Sequence, residues 1–371
     1  MAMKHRFRVL DVFRGIFASI IVFAHMSYYS NTPILNNEFV NNAGVFVDFF
    51  FVLSGFVICY SYQSIASKNE LSTFFAKRFA RIYPLHFILL ITYVLIELVK
   101  FFAKNHIQIN SPFDNSIQTF VTNLFLLNSI KFPGIDDFSW NGVSWSISAE
   151  FISYVAYALI IYAITISRFS KLKPLATVST SILSFGILVL ITNAYKIDYG
   201  YNYGFLRGLI GFFCGAFCFY VFEHFYDRVK KLSANLFTVL EILVITSVIL
   251  VVYNGKMVYA NGYIYEFLFF IAIFVFAFEK GQVSALLNKS KFLSNIGKYS
   301  YSIYMVHTLI LTIMDVVFIR IFKLPNTAYT YLFAVNYGIV YFVSAWTYKN
   351  IEIRFKDIFI KKNKEVKVAS V

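Results

Sequence analysis

RGIFASIIVFAH, residues Arg14 to His25, sets a guanidinium and an imidazole at the two ends of an apolar run. Ten residues lie between them, nearly all aliphatic, aromatic or small. The run is long and apolar enough to be part of a membrane-crossing helix. Ionisable side chains inside such a segment are costly, so they pair with one another or mark function. Eleven steps of 100° return to within about 20° of the starting direction, so both side chains project from one helical face. They are separated along the axis by roughly 16 Å. This face reads as the wall of a channel with an anion site at its mouth.

The rest of the chain has the same character. Of 371 residues, 59% are hydrophobic and only 14% charged, with a mean hydropathy of +0.66. That composition excludes an ordinary soluble domain. Apolar stretches near 11–29, 44–62, 83–102, 147–166, 176–194, 205–222, 234–253, 262–279, 299–320 and 329–347 predict an all-α polytopic membrane protein, a bundle of about ten transmembrane helices. The first run contains Arg14 and lacks a small-residue cleavage site, so it is expected to remain as the first span.

The net charge of +14 follows the topology rather than a nucleic-acid partner. With these spans, 24 lysines and arginines fall on one side, among them Arg78, Arg81 and seven in the tail from Lys349 to Lys367. Six fall on the other: Lys104, Lys131, Lys196, Lys256, Arg320 and Lys323. The positive-inside rule then predicts cytoplasmic N and C termini, with anionic lipid as a further partner of the basic surface. The short apolar segment 118–130 is read as a half-buried helix within a large outer loop, 103–146, because counting it as a span would invert every later loop. No linker or internal repeat divides the chain. A single membrane domain over 1–371 is expected, with a basic tail at 348–371. Cys59, Cys214 and Cys218 read as small core thiols, and no metal site is expected.

Further polar residues stand out against this background. Asp48 lies near the outer end of the second span, followed by FFFVLSGF with its Ser54-Gly55 pair. KRFARIYPLHF places Arg78 and Arg81 one turn apart beside the entrance that holds Arg14, where two readings stand: snorkelling arginines that set topology, or a phosphate clamp. SWNGVSWSISAEF carries Trp140 and Trp145, expected at the interface, and ends near Glu150, at about the depth of His25. YSIYMVH puts Tyr304 and His307 in the ninth span, with His307 about a third of the way in from the cytoplasm. Glu97, Arg207, Glu241, Glu266 and Asp315 read as structural pairs.

LDVFRGIFASIIVFAH, FFFVLSGFVI, KRFARIYPLHF, WSISAEF, YSIYMVH and the closing NIEIRF with Glu352 stand in this order. Together, over about residues 8 to 357, they resemble the acyltransferase-3 family of bacterial membrane proteins. The last motif departs slightly: the proline common after the glutamate-lysine pair is replaced, leaving Ile351-Glu352-Ile353-Arg354. The resemblance implies a stand-alone ten-span acyltransferase of the bacterial inner membrane, with no fused hydrolase-like domain. It would be an O-acetyltransferase that moves acyl groups, most often acetyl from acetyl-CoA, onto exported or cell-surface glycans. It carries donor-binding roles to Arg14, Arg78 and Arg81, and catalytic roles to His25 and Glu150. Asp11, Asp48, Ser54, Trp145, Ser146, Tyr304 and His307 become supporting candidates. No bound cofactor is implied; acyl-CoA is a co-substrate.

In that chemistry His25 deprotonates a sugar hydroxyl, and Glu150 orients the imidazole and stabilises its charged form. Direct transfer and a covalent acyl-enzyme on His25 or Ser54 both fit the residues. The competing class is a polytopic transporter or glycan flippase. It predicts repeated halves and polar residues gathered at mid-membrane.

Overall fold

The computed structural model describes residues 5–28, 30, 32–103, 115–255 and 259–358, with the side chains of 103, 259, 320 and 326–331 left aside. Residues 104–114 of the expected outer loop, Lys256, the side chain of Arg320 and the tail beyond 358 lie outside this description.

Every regular element among the described residues is helical. The helices are α1 (Arg8–Ser27), the single turn α2 (Glu38–Asn41), α3 (Phe46–Ser61), α4 (Lys68–Ala103), α5 (Ile117–Leu124), α6 (Trp145–Ile166) and α7 (Lys173–Thr192). They continue with α8 (Gly204–Val229), α9 (Ala234–Tyr253), α10 (Tyr263–Phe276), α11 (Gln282–Lys289), α12 (Lys291–Asp315) and α13 (Asn326–Thr347). Among the described residues, eight helical segments are long and apolar enough to cross a bilayer, and α10 is a shorter apolar helix. Large apolar side chains such as Leu190, Leu243, Phe267 and Phe342 are exposed on the outside of the bundle, as lipid-facing residues are. The protein is an all-α polytopic membrane protein.

Two close contacts set the frame. At Gly15 and Gly297, α1 meets α12: a methyl group added to either glycine would stand 2.5 Å from backbone of the other helix. At Gly55 and Gly215, α3 meets α8, and an added Cβ would fall 1.7 Å from a carbonyl oxygen across the contact. Small residues let helix backbones approach this closely in a membrane, where packing rather than water expulsion holds helices together.

Several elements differ from their sequence expectations. α4 begins at Lys68 rather than 83, so KRFARIYPLHF is entirely helical and not part of an inner loop. α5 has eight residues, about 12 Å of rise and too short to cross. Its buried Thr119, Thr122 and Asn123 face the bundle. Tyr83 and His86 of α4 hold this segment by bonds to the carbonyls of Leu124 (3.1 Å) and Asn123 (2.8 Å). Trp140 and Trp145 are both buried within the bundle. The indole of Trp140 donates to Thr119, and that of Trp145 lies over the Arg207 guanidinium.

Candidate active site

A cavity of about 280 Å³ runs between α1, α3, α4, α6 and α12. One end is lined by His5, Arg6, Tyr60 and Ser61, and the other by Ser146 and Tyr304. Between them stand Arg14, Arg78, Arg81, Ser54 and Glu150, with Phe50, Phe51 and Leu53 as an apolar wall. The three arginines expected to bind a donor therefore share one cavity. Arg14 comes from α1, and Arg78 and Arg81 from one face of α4, three residues apart.

What matters electrostatically is how little these cations are committed. Arg14 has Asp11 at 3.6 Å, but Asp11 is already held by Arg6 at 2.8 Å. Arg78 and Arg81 make no ion pair with a described residue. Arg78 lies over the rings of Tyr62 and Tyr154, at 5.6 and 5.9 Å from their centroids. Its buried Nε has no hydrogen-bond partner among the described residues. Guanidiniums drawn partly out of water without full partners favour an anionic ligand.

Glu150 departs from its expected partner. Its Oε1 accepts from Ser54 Oγ at 2.6 Å and from the hydroxyl of Tyr154, one turn along α6. Ser54 Oγ and the Tyr154 hydroxyl are themselves 3.1 Å apart. The carboxylate belongs to the arginine cavity, not to His25. The reason is packing: α6 lies against α8 and α4, whereas α1 runs along α12.

The imidazole of His25 has a different companion. Its ring centroid is 4.8 Å from that of His307, with the planes at 64°. His307 is therefore at the depth of His25, not a third of the way in. The Gly15–Gly297 contact explains this, because ten residues further along both helices, about 15 Å, lead to His25 and to His307. Each Nδ1 faces a backbone carbonyl, Ile21 at 2.9 Å for His25 and Tyr304 at 2.6 Å for His307. These contacts assign the proton to Nδ1 in both rings and leave each Nε2 with its lone pair. Nε2 of His307 is buried without a partner among the described residues. Tyr304 stands between the two regions: its ring lines the cavity, its hydroxyl bonds to Ser146 at 2.9 Å, and its centroid is 5.9 Å from His307.

Of the other candidates, Asp11, Ser54, Ser146 and Tyr304 line the cavity. Asp48 and Trp145 do not; they join Arg207 in a separate buried cluster. Sequence reading passed over Tyr154 and Ser300, which line the cavity. Tyr154 had a legible signal, since a tyrosine four residues after a glutamate shares its helical face. Ser300 had none. Glu352, from the closing motif, accepts from Ser302 at 2.5 Å, so the π-helical turn Tyr348–Ile353 is tied to α12.

Comparison with known proteins places the chain in a family. A curated relative, "Acyltransferase MdmB" from Streptomyces mycarofaciens, is 36% identical over 115 residues, 30% of this chain. That match spans about a quarter (27%) of the relative's length. No solved structure matches the chain. The model of the acyltransferase-3 family, described as an acyltransferase domain, matches residues 7–348, nearly the whole of the membrane bundle, and the chain belongs to that family.

Proposed function

We propose that this protein is a multi-pass acyltransferase of the bacterial inner membrane. It moves an acyl group, acetyl in the first instance, from cytoplasmic acyl-CoA to a hydroxyl of an exported or cell-surface glycan. The observation that carries the reading is the set of uncommitted guanidiniums, Arg14, Arg78 and Arg81, on one cavity whose far end approaches an imidazole pair. The arginines bind the donor's phosphates, each charge-assisted contact contributing about 1.5–3 kcal/mol. The positive-inside rule puts their end of the bundle on the cytoplasmic side, where acyl-CoA is made.

α1 is unbroken from Arg8 to Ser27, so the axial separation of about 16 Å between Arg14 and His25 holds. That is of the order a pantetheine arm spans. His25, with Nδ1 fixed on Ile21, presents Nε2 as the base for the acceptor's hydroxyl. A transporter reading has less support, because the cationic cavity and the imidazoles lie at two depths rather than at one mid-membrane site.

The test is release of free CoA thiol from acetyl-CoA by the purified full chain supplied with candidate glycan acceptors. His25→Ala should lower transfer by about 10²–10⁴-fold, the range for a lost general base. It should leave folded protein in the membrane. Transfer near the wild-type rate would remove His25 as the base.

A further inference from the structure

We propose that Ser54 is the first acceptor of the acyl group, forming a covalent acyl-serine on the cavity wall; this rests on the donor reading above. Serines in membrane helices commonly return their hydroxyl hydrogen to a carbonyl of the preceding turn. Ser19 does so to Gly15 and Ser153 to Ala149, both at 2.8 Å. Ser54 does not. Its Oγ points into the cavity and donates to the carboxylate of Glu150 at 2.6 Å. A hydroxyl with an adjacent base inside a ligand cavity is the arrangement of an activated nucleophile.

The surroundings supply the other parts. Arg78, with its unpartnered buried Nε, lies over the ring of Tyr154, whose hydroxyl is 3.1 Å from Ser54 Oγ. It is placed to donate to the oxygen of a tetrahedral intermediate. The backbone contact at the next residue, Gly55, holds α3 against Phe212 of α8, so Ser54 is fixed in direction. Tyr304 and Ser146 line the end of the cavity far from the arginines. A thioester arriving from the arginine end therefore meets Ser54 before it meets either imidazole.

In the first half-reaction Oγ attacks the thioester carbonyl carbon, and its proton passes to Glu150. The C–S bond then breaks, and the CoA thiolate takes that proton as it leaves. In the second half the acceptor's hydroxyl attacks the serine ester and gives its proton to Glu150, the base beside Oγ. The Oγ–acyl bond breaks, and the proton returns to Oγ, which restores the enzyme.

An acyl-enzyme permits a reaction that direct transfer forbids, namely exchange of label between acetyl-CoA and free radiolabelled CoA with no acceptor present. The purified full chain should catalyse this exchange, and Ser54→Ala should lower it at least about 100-fold, as loss of a nucleophile does. With no acceptor present, the wild-type chain given acetyl-CoA should accumulate one acetyl group on the peptide containing Ser54, seen by mass spectrometry. Ser54→Cys covers the case in which the alanine variant fails to fold: its label should become a thioester, cleaved by neutral hydroxylamine. Wild-type protein that binds CoA but shows neither exchange nor adduct would overturn the acyl-serine and leave the donor reading standing. Protein that neither binds CoA nor releases its thiol would overturn both.

Discussion

Arginine meets carboxylate in two places in this bundle, and the two are built for opposite ends. At Arg207 every donor group is engaged. Nε and one terminal nitrogen grip Asp48 at 2.6 and 2.8 Å, the other reaches Asp198 at 3.1 Å, the Gly44 carbonyl accepts at 3.2 Å, and Trp145 covers the face. The side chains of Arg207 and Asp48 are 3% and 0% exposed. In the cavity, Arg14 keeps 25% exposure with a partner at 3.6 Å, and Arg78 and Arg81 have no described ion pair. The same chemistry is closed off in one region and left open in the other. Partner saturation, rather than the presence of an arginine in a span, separates a structural cation from one held for a ligand.

Removing one partner of the saturated pair should have the largest effect. Asp48→Asn strands the Arg207 charge in the interior, and breaking a buried pair costs about 3–5 kcal/mol. Thermal unfolding in detergent should show that loss, with CoA affinity unchanged in the fraction that remains folded. If Asp48→Asn leaves the unfolding transition in place, the two regions do not differ in the way described.

Arg81→Ala should do the reverse. With no ion pair to a described residue to break, stability should change little, while the donor KM rises by roughly 10- to 150-fold for the loss of one charge-assisted phosphate contact. Titration with CoA alone checks this without an acceptor. A destabilised Arg81→Ala that binds CoA normally would make Arg81 a second Arg207.

The smallest effect sharpens the comparison most. Because Glu150 shares the cavity with the arginines, Glu150→Gln removes a negative charge from beside the bound phosphates. CoA affinity should rise, by up to about fivefold for a partly screened interaction of 0.2–1 kcal/mol. Its loss of turnover belongs to the Ser54 step. Affinity that falls instead would mean that Glu150 positions the arginines rather than opposing them.

Much of this was legible in the sequence. Apolar runs of membrane length report their own helices, and the Arg14–His25 face follows from helical geometry alone. Depth was less secure. Apolarity begins at 299, which puts His307 too near the cytoplasmic end, whereas α12 starts at Lys291 with the hydroxyl of Ser290 capping Leu293. The partner of Glu150 was not legible at all. Helical period says which way a side chain points from its own axis, but which neighbour waits there depends on how helices far apart in sequence pack. Asp48 shows the same limit: its spacing marks it as buried, and only the fold reveals that Arg207, not the cavity, claims it.

The Gly15–Gly297 contact has a consequence for biosynthesis. It joins the first long helix to one of the last, so the His25–His307 pair has members near opposite ends of the chain. α1 enters the membrane early in translation, and its imidazole lacks that neighbour until α12 has been inserted beside it. A chain arrested before Lys291 therefore holds Arg14, Arg78 and Arg81 without the paired imidazoles. The three guanidiniums enter the membrane, during synthesis, before the imidazole pair is complete.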